Sequence, residues 1–495
     1  MAQSRQLKQQ QARLDKCGTY EQWCAAASDY DRLSGATAWR AKEKTHLYDY
    51  RQIRRRLERL RDYRHNGDHQ NLLFSLNEGV HGNMGGMGKS VLHHRALLGT
   101  KHLIEEYVSE ISTSIRTIAT LDAGSVSAAE KQDFFQRASL CFGRSALMLS
   151  GGGSLGHFHL GVVKALMEQG LVPPVLSGSS AGSVVSAIYG TRSRAQMTEH
   201  LAREAVQAQF SAEGEQIQGL AKGANYSAEQ VRATFEGLIP DLTFQEAYDV
   251  SGCYINISVA PLEAHQSSRL LNAITAPNVL VRDAVMASCA LPGVFPAVAL
   301  RAKNASGEYQ DYLPGRRWID GSFSEDLPMK RLARLYGVNH YVGSLINPIV
   351  RYASDELRDN KGLSGQLRKL TFQGVSLYTR NLNMIAQRYG KSWPKLKLVT
   401  STAHSIFSQN YDVDVPVYPN FSEFDLKKLL KPLGSTELQS LMRGGERATW
   451  RRLGMIATCT QISRTLDEVR HGAPTSTDPA PHRAPLNDLA LGTRT

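Results

Sequence analysis

The sequence predicts an α/β protein, a mainly parallel sheet between helices with helical extensions on both sides. Three observations carry this. Short apolar strands alternate with helical periodicity from residue 144 to about 345. Two glycine-rich turns each stand between a strand and a helix. Residues 1 to about 140 show charged, helical periodicity and no strand pattern.

In chain order, amphipathic segments fall near 48–64, 69–80 and 91–121, broken by the loop His81-Gly-Asn-Met-Gly-Gly-Met-Gly88. At Arg144 the pattern changes to a strand ending at Ser150, a tight loop Gly151–Gly156, and an apolar helix from Phe158 to Gln169. A second strand, Pro174–Ser177, leads through Gly178-Ser-Ser-Ala-Gly182 into a helix containing Ser183–Tyr189. From Arg192 to Val250 helix dominates, with capping-box spacings at Ser227/Gln230 and Thr243/Glu246, and part of it is a lid candidate. Strands return at Tyr254–Val259, Trp318–Asp320 and His340–Ile346, with a helix at Met329–Tyr336. The division predicted is a helical region 1–140, a catalytic domain 145–345, a helical C-terminal extension 346–470 containing a basic helix near 364–390, and a disordered tail 471–495.

Composition narrows the function classes. At 495 residues the chain exceeds a small binding module, and the net charge of +12 favours acidic partners such as an anionic membrane surface or nucleic acid. Part of the excess lies in Arg51–Arg64, where Ile53, Leu57 and Leu60 share one helical face; a core-packed helix with a solvated basic back is favoured over surface docking. The 6 cysteines show no CxxC pair and no metal-ligand spacing, so neither a disulfide framework nor a metal site is expected. The N-terminus lacks the apolar stretch of a signal peptide, and no apolar run approaches the ~18 residues of a spanning helix, so the expectation is a cytoplasmic protein whose membrane contact is peripheral.

The chemistry centres on Gly178-Ser179-Ser180-Ala181-Gly182, a G-x-S-x-G between strand and helix. A nucleophile elbow needs small flanking residues because its serine sits in a strained turn, and the next helix offers its positive end to a developing oxyanion. The loop Gly151-Gly152-Gly153-Ser154-Leu155-Gly156 also matches a dinucleotide fingerprint, which requires an acidic residue at the end of the second strand. None stands there. The other reading is that the Gly151, Gly152 and Gly153 amides form an oxyanion hole. Asp320, just after a strand and before Gly321, is the candidate base. His157 and His159 lie at a helix start, so a Ser–Asp dyad is favoured over a triad. Met84-Gly-Gly-Met-Gly-Lys-Ser90 ends like a phosphate loop, but Asn83 replaces its first glycine and its surroundings are helical; an inter-helix loop is expected.

Gly151–Gly156, Gly178–Gly182 and Asp320-Gly321, in this order and spacing, resemble the patatin-like phospholipase family. Gly99–Val108, Arg144–Gly153, Ile319–Pro328 and Arg443–Trp450 are similar to its branch of fungal and plant storage-triacylglycerol lipases, which carry an extra helical N-terminal domain. The resemblance covers residues 40 to 470. It implies a three-layer patatin-like fold, Ser180 as nucleophile, Asp320 as proton acceptor, and an oxyanion hole at Gly151–Gly153. Gly156, Gly178, Gly182 and Gly321 complete the motifs. The implied activity is cofactor-free and metal-free release of fatty acids from acylglycerols at a membrane or lipid-droplet-like surface, with no nucleic acid partner. A phospholipase with the same dyad and a non-catalytic lipid-surface protein are the alternatives. Ser322 replaces the family's usual Gly or Ala, as the lipase branch does, and the His-x4-Asp motif linked to acyl transfer is absent.

Overall fold

The computed structural model describes residues 2–202, 228–263, 267–290, 296–322, 325–346, 411–420 and 433–470. The predicted helix near 364–390, the tail 471–495 and the Ser227 cap lie outside them. The chain divides into two units, residues 1–145 with 449–495, and residues 146–448.

The first unit contains α1 (Ala2–Leu14), α2 (Tyr20–Ser34), α3 (Ala36–Ala41), α4 (Tyr50–His65), α5 (His69–Asn77), α6 (His102–Thr120) and α7 (Ala128–Phe142). Side chains satisfy the first helical amides: Thr19, Asp49 and Asp68 cap α2, α4 and α5, and Ser127 with Glu130 forms a capping box on α7. The Ile53, Leu57, Leu60 stripe is buried in a core shared with Tyr107, Ile111 and Ile115 of α6. Helix α6 starts later than the periodicity predicts, at His102. Gly99 sits at φ 117° and Lys101 is extended, its ammonium bonded to the carbonyls of Trp39 and Lys42, so this stretch is held by tertiary bonds. The Met84–Ser90 loop folds into short 3₁₀ turns, with Lys89 Nζ donating to the Leu47 carbonyl at 3.0 Å.

The second unit is built on a sheet. Its elements are β1 (Arg144–Leu149, residues 146 onward), α8 (His157–Glu168), β2 (Val175–Gly178), α9 (Ala181–Gly190), α10 (Arg194–Ala202), α11 (Ala228–Leu238), α12 (Phe244–Ser251), β3 (Tyr254–Pro261), β4 (Arg269–Leu271), α13 (Val281–Ser288), β5 (Arg301–Lys303), β6 (Tyr309–Asp311), β7 (Trp318–Asp320), α14 (Met329–Tyr336), β8 (Val338–Ser344) and β9 (Val415–Val417). The last described helix, α15 (Ser435–Arg470), contributes residues up to 448 here and the remainder to the helical unit.

The sheet order is β4-β3-β2-β1-β8-β9, with β7 also paired to β3. β1/β2, β2/β3 and β8/β9 are parallel, while β4 and β7 run antiparallel to β3. β2 is buried along its whole length and β1 and β3 at all but their first residue, as strands covered on both faces must be. This is the mainly parallel sheet between helices that the alternation predicts. The predicted helical extension 346–470 needs correction: Val415–Val417 is a buried strand beside Val342–Ser344, where its short apolar run completes the sheet. No described helix is long and apolar enough to cross a membrane.

Candidate active site

Register brings the candidate residues together. In the parallel pairing of β2 with β3, Gly178 lies opposite Ile257, so the turn after β2 emerges beside the C-terminal half of β3. In the antiparallel pairing of β7 with β3, Asp320 lies opposite Val259, two residues further along. Ser180 and Asp320, 140 positions apart in sequence, thus meet at one edge of the sheet. The Ser180 side chain lies close enough to the Asp320 carboxyl to favour its charged form.

Ser180 occupies φ 48°, ψ −121°, a conformation that a side chain adopts only under strain. Its surroundings enforce it. The Ser180 N–H donates to Ser288 Oγ at 3.0 Å, whose hydroxyl donates to the Ser258 carbonyl at 2.9 Å. Ser183 Oγ donates to the Ser180 carbonyl at 2.6 Å. The elbow also presses against the sheet: a Cβ on Gly182 would lie 2.1 Å from the Leu149 carbonyl oxygen. Only glycine fits there.

Asp320 is 1% exposed. Its carboxyl accepts the Ser322 N–H at 2.8 Å, and the Ser322 and Ser180 side chains lie close enough to favour its charged form. Burial pushes it up from 3.8 to about 6, with these contacts opposing. Ser322 thus steadies the carboxyl through its main chain, which any residue at this position can do, and its hydroxyl adds a second contact.

The glycine loop forms a 3₁₀ turn, Gly153–Gly156, leading into α8. It lies against the residue after Ser180, since a Cβ on Gly156 would stand 3.0 Å from the Ala181 Cβ. The expectation of three oxyanion donors needs one correction. Gly151 N–H donates to Asp326 Oδ1 at 2.8 Å, so its only hydrogen is already engaged. Among the described residues the Gly152 and Gly153 amides, at the start of the 3₁₀ turn, donate to no protein acceptor. They remain available to a ligand oxygen.

The histidines stand apart. His159 is fully buried, with Nδ1 2.6 Å from Ser344 Oγ and Nε2 2.9 Å from the Ser150 carbonyl, and burial pushes it down to about 4. Neither ring nitrogen is left for Ser180, and burial alone pushes His157 down to about 4. Sequence reasoning missed Ser288 and Asp326. Ser288 carries no local signal, whereas Asp326 follows Asp320 by six positions in Glu325-Asp-Leu-Pro328.

A strained serine at a strand–helix elbow, set close to a buried carboxyl and beside a glycine loop with open amides, is the candidate site of this α/β protein. Residues 147–333 match the patatin-like phospholipase family, and residues 1–140 match a domain of unknown function, DUF3336. Triacylglycerol lipase ptl3 of Schizosaccharomyces pombe is 31% identical over 456 residues, 89% of this chain and 92% of that one. Triacylglycerol lipase SDP1L of Arabidopsis thaliana is 32% identical over 471 residues, and triacylglycerol lipase 4 of Saccharomyces cerevisiae 30% over 463. These alignments take in 91% and 88% of this chain but only 57% and 50% of the two relatives, so the chain spans about half their length. The chain belongs to the patatin-like phospholipase family.

Proposed function

We propose that this protein is a serine lipid acyl hydrolase that releases fatty acids from acylglycerols through a Ser180–Asp320 dyad. The observation that carries the proposal is a strained Ser180 that the sheet register sets beside a buried Asp320, whose affinity for a proton is raised towards neutrality. Asp320 takes the hydroxyl proton as Ser180 Oγ attacks the ester carbonyl. The negative charge that develops on the carbonyl oxygen is met by the Gly152 and Gly153 amides and by the N-terminal end of α9. Collapse of the tetrahedral intermediate breaks the bond to the glyceride oxygen, which takes the proton from Asp320. Water then enters, gives a proton to Asp320 and attacks the acyl-enzyme; Ser180 leaves with that proton and the fatty acid departs.

The names of the aligned relatives favour triacylglycerol as substrate, and the family's own name keeps phospholipid as the second choice. In this proposal residues 145–345 form the catalytic domain, with 1–140 as the helical domain of the lipase branch and 346–470 its extension. The enzyme works on the cytoplasmic side, docked peripherally on a membrane or lipid-droplet-like surface. The test is fatty-acid release from emulsified triacylglycerol and, in parallel, from phospholipid vesicles, for the unmodified protein and Ser180→Ala. Release from triacylglycerol that vanishes in the variant supports the proposal; release from phospholipid alone moves the substrate, and release from neither overturns the hydrolase.

A further inference from the structure

We propose that Asp326 is a positioning residue for acyl transfer: its carboxyl holds the Gly151 amide and thereby fixes the glycine loop, so that the next two amides face the oxyanion. The inference rests on the hydrolase proposal and assigns a role to a carboxylate that the Ser180–Asp320 chemistry does not use.

The geometry ties three separate segments to one residue, two through its side chain and one through its backbone carbonyl. Asp326 is 3% exposed, and its Oδ1 accepts the Gly151 N–H at 2.8 Å. Its own backbone carbonyl accepts Ser179 Oγ at 3.0 Å, from the residue just before the nucleophile. Its carboxyl also bonds the Tyr411 side chain, near β9. One residue therefore anchors the oxyanion loop after β1 and the elbow after β2, two turns that no local sequence rule places relative to each other. Oxyanion donors act only if they are aimed before the charge appears, so the fixed loop is part of the catalytic electrostatics.

Gly151 needs an acceptor, whichever residue supplies it. A buried amide without one costs free energy, and the loop would shift to find water or another carbonyl. Burial, with the Asp320 charge adding to it, pushes Asp326 up to about 7, so near neutrality the carboxyl is part protonated. A neutral side chain with an acceptor oxygen at the same place is thus a fair substitute. Asparagine is such a side chain and alanine is not.

The test uses the full chain and three forms: unmodified, Asp326→Ala and Asp326→Asn. The first readout is the rate of Ser180 phosphonylation by a fluorophosphonate, with the tag located by mass spectrometry, because this reaction builds charge on an oxygen in the same hole without requiring a lipid. The second is kcat and KM on a short-chain p-nitrophenyl ester. Asp326→Ala is expected to label about 100-fold more slowly and to lose a similar factor in kcat, with KM within about twofold, the scale of a misplaced donor. Asp326→Asn is expected to stay within about threefold of the unmodified protein in both. A folded Asp326→Ala that labels at the unmodified rate, or an Asp326→Asn as slow as Ala, overturns the inference. Should Asp326→Ala fail to fold, Asp326→Glu displaces the acceptor by one methylene and takes its place: slower labelling supports the inference, and labelling at the unmodified rate sinks it. An unmodified protein tagged on Ser180 that releases no fatty acid from either lipid refutes the lipid substrate alone. One that is not tagged on Ser180 refutes both proposals.

Discussion

Helix α4 and the Ser180 site treat carboxylates in opposite ways. Along α4 five of the seven arginines pair with carboxylates: Arg54 with Glu43, Arg56 at 3.5 Å and Arg59 at 3.7 Å with Glu78, Arg61 with Glu106 at 3.2 Å, and Arg64 with Glu110 at 2.6 Å. The basic run that suggests an anionic partner in the sequence is in large part a structural lattice. Asp320 is more deeply buried than any of these glutamates, yet no Lys or Arg pairs with it among the described residues; it accepts the Ser322 N–H, with the Ser180 side chain close by. A cation would hold the carboxylate ionised and make it a poor proton acceptor. The helical unit pairs its buried carboxylates with cations, whereas Asp320 has no such pair among the described residues, which in the proposed chemistry keeps it basic enough to take a proton.

The largest break in that comparison comes from the dyad itself. Ser180→Ala removes the proposed nucleophile and is expected to reduce lipid ester hydrolysis by about ten-thousand-fold or more, checked by fatty-acid release with the fold verified by circular dichroism. Asp320→Asn leaves the serine but takes away the proposed proton acceptor, and a loss of about a thousand-fold or more in kcat/KM is expected. If Asp320→Asn keeps most of the activity, another group is the base. Since Asp320 must be ionised to accept the proton, kcat/KM of the unmodified enzyme should rise with pH through about 6. A profile flat from pH 4.5 to 8 contradicts this.

The same carboxyl makes a second, opposite prediction for stability. Its folded value, about 6, lies above the 3.8 of the unfolded chain, so the folded state binds the proton more tightly and stability from this group falls as pH rises from about 4 to 6. Above that window the buried charge destabilises the fold by about 3 kcal/mol. Asp320→Asn should therefore raise the unfolding midpoint at pH 8 and have little effect on it at pH 4. An equal change at both pH values would detach the effect from the charge.

Next in size is the packing of the elbow. Gly182→Ala places a methyl group 2.1 Å from the Leu149 carbonyl oxygen, where both atoms belong to rigid elements, and a loss of about 3 kcal/mol or more is expected by denaturant unfolding. This position was legible in the sequence because the requirement is local: a small residue two places after the nucleophile. The strand–turn–helix order at β1 and β2 was legible for a similar reason, since apolar runs and glycine punctuate the chain within a few residues. What the sequence hid depends on distant pairings. β9 is three residues long and is a strand because β8 stands beside it, and β5 and β6 have no run long enough to declare themselves. Gly151 has the sequence pattern of an oxyanion donor, but Asp326, 175 positions on, holds its hydrogen. The close contact of α8 with the start of α15 was likewise hidden: a Cβ on Gly161 would meet the Met442 carbonyl at 1.9 Å, which gives the glycines near Arg443 a packing role.

The smallest effect sharpens the comparison most, because it repeats the carboxyl-to-amide change in the other region. Glu110 is 6% exposed and accepts from Arg64 Nε at 2.6 Å and Nη2 at 3.2 Å, with Arg61 3.6 Å away. Glu110→Gln keeps the shape and one acceptor oxygen but leaves two guanidinium groups without their shared counter-charge. Breaking a fully buried pair costs about 3–5 kcal/mol. Arg64 and Arg61 keep 27% and 39% of their side-chain surface, so water takes up part of the charge. The expected loss is about 1–2 kcal/mol, smaller in high salt, with kcat/KM unchanged. Paired measurements at pH 8 should then give opposite signs, stabilisation from Asp320→Asn and destabilisation from Glu110→Gln. If both variants lose stability, Asp320 contributes to the fold as a structural hydrogen-bond acceptor, and the proposed contrast between paired and withheld charge fails.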